Sequence, residues 1–217
     1  MKNIIIVGTG AVAAEITSYL VDTDFAESQN LRIKGYIEYA YNKTKYYEAY
    51  GLTLPILGDI DSYKIEDNDY FVIGISDPEF RLKQIEILRD KGASFINLIH
   101  PSAIIASTAK IGTGNIINPQ CIIGPKAVLG DFNLLTSQSM ISHDCKVGNN
   151  NILSTALLCG HVTVGDNNRF GIRSTVIPHI HIGNKTLIQA GMVVDKNVPD
   201  EATIFHRFKE KIIAIPQ

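Results

Sequence analysis

The chain has 217 residues, 45% of them hydrophobic and 19% charged, with a formal net charge of -2 at pH 7. This leaves room for one or two domains with a real core, and the absence of any basic run excludes the electrostatic footprint of a nucleic-acid or anionic-lipid partner. The opening apolar run of about six residues is too short for a signal-peptide core or a membrane span, so a cytoplasmic protein is expected.

Asn3, Ile4, Ile5, Ile6 and Val7 form an apolar, β-branched run that stops at Gly8-Thr9-Gly10. Residues 11–20 then read as a helix with Val12, Ile16, Tyr19 and Leu20 on its apolar face. Further strands are predicted at 33–37, 55–57, 70–75 and 95–99, and a second helix at 78–91. This alternation predicts a half-Rossmann α/β unit with a small parallel sheet over residues 1–100. Ligands bind such sheets at the carboxyl ends of the strands, where helix N-terminal amides meet phosphate. Gly8-Thr9-Gly10-Ala11-Val12-Ala13 fits the pattern G-x-G-x-x-A, which makes Gly8, Thr9 and Gly10 candidates for a pyrophosphate site. Glu38 closes the second strand, either meeting a ribose or base or standing as an exposed strand-end carboxylate. Asp77 reads first as the cap of the second helix and second as a substrate contact. The unit is half the length of a dinucleotide fold, and a nucleotide sugar suits it better than NAD.

From Ile111 an aliphatic residue returns every six positions, through Ile117, Ile123, Leu129, Leu135, Ile141, Val147 and Leu153, and then, after one spacing of five, from Leu158 to Val194. Two positions before each stands mostly a small residue such as Asn115, Cys121, Asn133, Cys145 or Asn151. Neither a helix nor a hairpin sheet repeats in sixes; a hexapeptide β-helix of about five turns does, and residues 101–217 are read as that second domain. Its turns cover one another's interiors. Gly112, Gly124, Gly130, Gly148, Gly165, Gly171 and Gly183, with Asp131, Asn149, Asn150, Asp166, Asn167 and Asn184, are expected at corners that need positive φ. The slip falls within Ser154-Thr155-Ala156-Leu157, as a deletion absorbed at a corner or as a shaped wall of a site. Cys121 and Cys145 are expected as buried small hydrophobes, and three cysteines without close pairs do not make a disulfide framework.

His143 stands two places after Ile141, so its side chain leaves the coil outward, available as a general base. Its neighbour Asp144 can orient it only if the corner bends; the alternative is a surface pair without consequence. His161 and His179 share one phase and are expected to stack one turn apart. No two histidines are five apart, as an H-x4-H zinc pair requires, so no metal is expected.

The order of the two units, the linker Leu98-Ile99-His100-Pro101-Ser102-Ala103 and the segment Ile141-Ser142-His143-Asp144-Cys145-Lys146-Val147-Gly148 resemble the hexapeptide-repeat sugar acetyltransferases of the sialic-acid O-acetyltransferase/bacillosamine N-acetyltransferase family, over nearly the full length. The resemblance implies a left-handed β-helix, a homotrimer with active sites between subunits, and acetyl transfer from acetyl-CoA to a nucleotide-linked sugar, without a metal. It further implies that His143 takes the proton and Asp144 orients it, that amides around Gly160 face the oxyanion, and that those near Ile172 and Ala190 hold the pantetheine arm. The chain departs from the family pattern in three places. Ile152 occupies the position of a second histidine. His161 stands near the slip where Asn or Gly is usual, and is expected to compensate in cofactor binding. The tail reads Ile204-Phe205-His206-Arg207-Phe208-Lys209, leaving Arg207 or Lys209 for CoA phosphates. The expected activity is N-acetylation of a 4-amino-4,6-dideoxy sugar nucleotide for lipopolysaccharide or capsule synthesis. The alternatives are sugar O-acetylation and a catalytically silent trimeric scaffold.

Overall fold

The computed structural model describes residues 1–21, 23–38 and 44–206. The N-terminal unit runs β1 (Lys2–Val7), α1 (Ala11–Val21), α2 (Phe25–Ser28), β2 (Leu31–Glu38), α3 (Thr44–Ala49), β3 (Ile56–Asp59), β4 (Asp69–Ile73), α4 (Pro78–Asp90) and β5 (Ser94–Phe95). Its parallel sheet has the order β3-β2-β1-β4-β5, the half-Rossmann topology expected. Ile4, Ile5, Ile6 and Val7 are fully buried, because β1 is central and helices cover both of its sides. The short helices α2 and α3 have no counterpart in the sequence reading.

The run at 95–99, read as one strand, is divided between the two units. Phe95 ends the N-terminal sheet, whereas Leu98–Ile99 already pairs with Ile116–Ile117 as the first strand of the coil. Asn97 makes the break: its amide donates to the Gly112 carbonyl and its side-chain oxygen accepts from the Asn115 N–H.

From Leu98 to Ile204 the chain winds as a parallel β-helix of two-residue strands in three sheets of seven, six and five strands. It is longer than the five turns counted from Ile111, since Ile99 and Ile105 hold the same phase and Thr203–Ile204 adds a last strand. Ile117, Ile123, Leu129, Leu135, Ile141 and their successors point inward and are nearly inaccessible. The three outer faces differ. Leu98, Ile116, Leu134 and Ile152 project from the first and are buried against the N-terminal unit, making a covered face. Ile104, Ile122, Met140, Leu157 and Val193 project from the second, an apolar face with Ile104 and Val193 at least 60% exposed. Lys110, Val128, Lys146 and His181 project from the third, a basic face.

The corner glycines serve a purpose other than the expected positive φ. Gly112, Gly130, Gly148, Gly165 and Gly183 keep ordinary backbone, but a Cβ there would stand 2.2–2.5 Å from an Asp or Asn side-chain oxygen of the next turn and 2.6–2.8 Å from its backbone. Positive φ falls instead three residues after most inward aliphatics, on Gln120, Lys126, Phe132, Gln138, Asp144, Asn150, His161, Asn167, Arg173, His179 and Lys185. Two ladders occupy the edge between the basic and covered faces. In the inner one Asn97, Asn115, Asn133, Asn151 and Asn168 each accept from the backbone N–H of the residue above, ending at Thr186. Outside it Asp131, Asn149, Asp166, Asn184 and Asp200 each accept from the backbone N–H of the residue one turn below. The inner ladder closes the edge by satisfying buried donors.

A buried arginine joins the units. Arg81 of α4 is fully inaccessible and donates to the carbonyls of Ile73, Ile75 and Phe132 and to Asn150 Oδ1. Burial without a carboxylate pulls its pKa down to about 10. The guanidinium therefore fixes the carboxyl end of β4 to a coil corner. Among the described residues no helix is long and apolar enough to cross a membrane.

Candidate active site

The edge between the apolar and basic faces carries no ladder. Its corners read Gly124-Pro125-Lys126, Ser142-His143-Asp144, Cys159-Gly160-His161 and Ile177-Pro178-His179, one above the other. The third residue of each adopts φ between 58° and 66°, which swings its side chain out beside that of the second. This is the bend Asp144 needed. Asp144 Oδ2 lies 2.9 Å from His143 Nδ1 and 4.0 Å from His161 Nε2. The proton is assigned to Nδ1 from this pairing, which leaves Nε2 as the acceptor. The hydrogen bond from His143, aided by the charges of His161 and Lys126, holds the Asp144 carboxyl below the usual carboxylate range.

Gly160 makes room for the imidazole. A Cβ there would stand 2.6 Å from His143 Cε1 and 2.7 Å from Nε2. Pro125 and Pro178 occupy the same corner position, so the coil needs no N–H donor at that point. His161 packs edge-on to His143, with ring centroids 5.3 Å apart, and stacks flat on His179 at 4.8 Å, as the phase predicted.

A second concavity, of about 430 Å³, opens at the carboxyl ends of β1 and β4, where the strand order changes direction. Gly10, Ala11, Gly74, Ser76, Asp77 and Phe80 line it. Nothing lies within 4 Å of where a Gly10 Cβ would be, so this backbone is open to close approach. Gly74 is needed for a different reason: its Cβ would meet Ala13 and Ile6, so it lets α1 pack on the sheet. Asp77 caps α4 by accepting from the Phe80 N–H, the reading placed first, while also edging the cleft.

The sequence-predicted residues thus fall into groups. His143, Asp144, Gly160 and His161 meet at one edge. Ile172, 61% exposed, and Ala190 sit one turn apart on the edge between the covered and apolar faces, across the apolar face from His143. Gly10 and Asp77 line the cleft, but Thr9 is buried and donates its hydroxyl to Glu38. Glu38, itself buried, is therefore not an exposed strand-end carboxylate. Ile152 is in neither site: it is buried on the covered face against the N-terminal unit. The slip is absorbed at the corner of Thr155, whose N–H is accepted by Thr136 Oγ1. Arg207 and Lys209 lie outside the described residues. Lys126 and His179 were missed as site residues, although both share the corner phase of Asp144 and His161.

No protein-family model and no curated protein sequence matches the chain. Solved structures do. PerB from Caulobacter crescentus, in complex with CoA and GDP-perosamine, superposes with a TM-score of 0.80 at 25% identity, over 94% of this chain and 93% of that one. GDP-perosamine N-acetyl transferase from the same organism, solved as a histidine-to-alanine mutant with the same ligands, gives 0.79 at 23% over the same shares. The acetyltransferase domain of PglB from Neisseria gonorrhoeae gives 0.77 at 18%, over 94% of this chain and 96% of that one. These likenesses bear out the resemblance read from the sequence: a half-Rossmann unit followed by a left-handed parallel β-helix, the architecture of the hexapeptide-repeat sugar acetyltransferases.

Proposed function

We propose that this chain is an acetyl-CoA-dependent N-acetyltransferase acting on a nucleotide-linked amino sugar of the 4-amino-4,6-dideoxy type. The observation that carries this reading is the outward His143–Asp144 pair, seated on a glycine at a coil edge without a ladder. In this reading His143 Nε2 takes the proton as the sugar amine attacks the thioester carbonyl, then returns it to the departing CoA thiolate. Asp144, ionised throughout the physiological range, keeps the proton of the resting tautomer on Nδ1 and stabilises the imidazolium. The Gly160 N–H, which the coil does not require, stabilises the oxyanion. Positioning carries most of the rate, and the base contributes about 10²- to 10⁴-fold. In similar structures the ligands are CoA and GDP-perosamine, which supports both substrate classes here, with the nucleotide in the Gly10–Asp77 cleft.

The cleft and His143 belong to opposite sides of one molecule, because the N-terminal unit sits on the covered face and the histidine edge lies across the coil from it. A site combining them needs a second copy. The exposed apolar face favours a closed ring of copies packed through it, which supports a homotrimer. Around such a ring the His143 edge of each copy stands beside the Ile172–Ala190 edge of its neighbour. Gly160 and His161 of one copy and Ile172 and Ala190 of the next would then flank the CoA arm together.

Thiol release from acetyl-CoA, measured with UDP-, dTDP- and GDP-linked 4-amino sugars and their hydroxyl counterparts, tests the reading. Release with an amino sugar, lost in His143→Ala, is expected. Release with hydroxyl sugars alone would replace N- by O-acetylation, and silence across the panel from folded protein would overturn the enzymatic reading.

A further inference from the structure

The spacing of histidines along the chain gives no metal motif, but the slip changes what stands above what. Asp144 and His161 each stand three residues after a paired inward aliphatic, Ile141 and Leu158, so both occupy the same corner position of successive turns although the slip leaves them only 17 residues apart. The result is an outward cluster of His143, Asp144 and His161, with one ligand-capable atom of each within 4.8 Å of the others.

We infer that these three side chains form a binding site for a divalent transition cation of the zinc class. The cation is not a cofactor of acetyl transfer; it competes with it, because it engages the same His143 and Asp144. Two imidazoles and one carboxylate are the donor set of zinc, cobalt and nickel rather than of calcium or magnesium. Ligand atoms around a tetrahedral zinc ion with bonds of about 2.0–2.2 Å lie roughly 3.3–3.6 Å apart. The observed separations from Asp144 Oδ2, 2.9 Å to His143 and 4.0 Å to His161, straddle that value. Closing the difference takes side-chain rotation and a switch of the His143 proton from Nδ1 to Nε2, which frees the Nδ1 lone pair for the cation; about half of each imidazole is solvent-exposed. Three protein ligands leave a fourth position for water. The parallel ring of His179, stacked at 4.8 Å, fixes the plane in which His161 presents Nε2. Lys126, whose charge already acts on Asp144, competes for the carboxylate and keeps the affinity below that of a closed structural site.

The test uses metal-free full-length protein titrated with Co²⁺, with Zn²⁺ as competitor. Visible ligand-field bands saturating at one Co²⁺ per chain and displaced by Zn²⁺ are expected. His161→Asn, which retains a residue suited to positive φ, and Asp144→Asn should each weaken binding at least ~10-fold, the least that loss of a supporting contact to a metal site costs. No bands in the wild-type protein, or bands of unchanged affinity in both variants, would overturn the site. The inhibitory role alone rests on the proposed acetyl transfer: zinc should block thiol release over the same concentration range in which it displaces the cobalt bands. If no acceptor supports transfer but the cobalt bands behave as expected, the function falls and the metal site stands.

Discussion

Two edges of one coil, built on the same six-residue period, are finished in opposite ways. At the edge between the basic and covered faces, Asn and Asp side chains turn inward or along the edge and take up the backbone donors of a neighbouring turn. At the edge between the apolar and basic faces no such ladder forms, although the Lys126 N–H donates to Thr108 Oγ1, and the corner residues Lys126, Asp144, His161 and His179 point into solvent. One edge secures the stack and the other is free to carry chemistry. If this division is right, substitutions at the two edges separate activity from stability.

The largest effect is expected from His143→Ala. Acetyl transfer should fall about 10²- to 10⁴-fold with the thermal midpoint lowered only slightly, by loss of the exposed pairing with Asp144; steady-state rates and a melting curve on one preparation check this. Gly160→Ala should come next. Its methyl must displace the His143 ring, whose contacting atoms belong to a mobile side chain rather than to backbone. The turnover number should drop by up to ~100-fold, the cost of a displacement of about 1 Å, again with little loss of stability.

Asn133→Ala should reverse the pattern. It leaves the Asn151 N–H without its acceptor and the Gly148 carbonyl without a donor, in a place no water reaches. A loss of about 1–3 kcal/mol in denaturant unfolding is expected, with turnover per folded molecule unchanged. Equal losses of rate and stability at both edges would break the comparison.

The smallest effect concerns pH. Asp144 is held below the ordinary carboxylate range, chiefly by its hydrogen bond from His143. A carboxyl depressed in the folded state stabilises it above the unfolded value, near 3.9, and that contribution fades as pH falls through the lower folded value. The melting curves of the native protein and Asp144→Asn should therefore stay apart down to about pH 5 and converge only below about 4. Convergence near pH 6 would show that another group supplies the pairing.

The sequence made the inside of the coil legible because a side chain that must point inward recurs whatever surrounds it. Ile123, Ile141 and Leu153 stand where the count of six places them. What lies outside an edge was less legible, since each neighbour comes from one turn away and is found only by carrying the phase through the slip. Tracking it would have put Lys126 above Thr108 and Asp144 beside His161. The glycines were located but misread: a pattern shows that a small residue recurs, not whether φ or the next turn demands it, and the contacts at Gly130 and Gly165 answer in favour of the next turn. Ile152 was misplaced for a related reason. Its outward phase was evident, but only the docked N-terminal unit turns that face into a buried one. In the N-terminal unit the glycine turn and Asp77 stood as expected. The burial of Glu38 against Thr9 depends on how β1 and β2 end together, which no short motif records.

The central claim is that the open His143 edge of one copy works with the Ile172–Ala190 edge of the next, and mixed assembly tests it directly. His143→Ala and Ala190→Trp, each inactive alone, are unfolded together, reassembled in equal amounts and assayed for thiol release with the accepted amino sugar. In a ring with independent assortment, one half times one half of the interfaces unite an intact His143 with an intact Ala190, so about one quarter of the wild-type activity should return. Full assembly without any recovery would place both edges of a working site in a single copy and contradict the account.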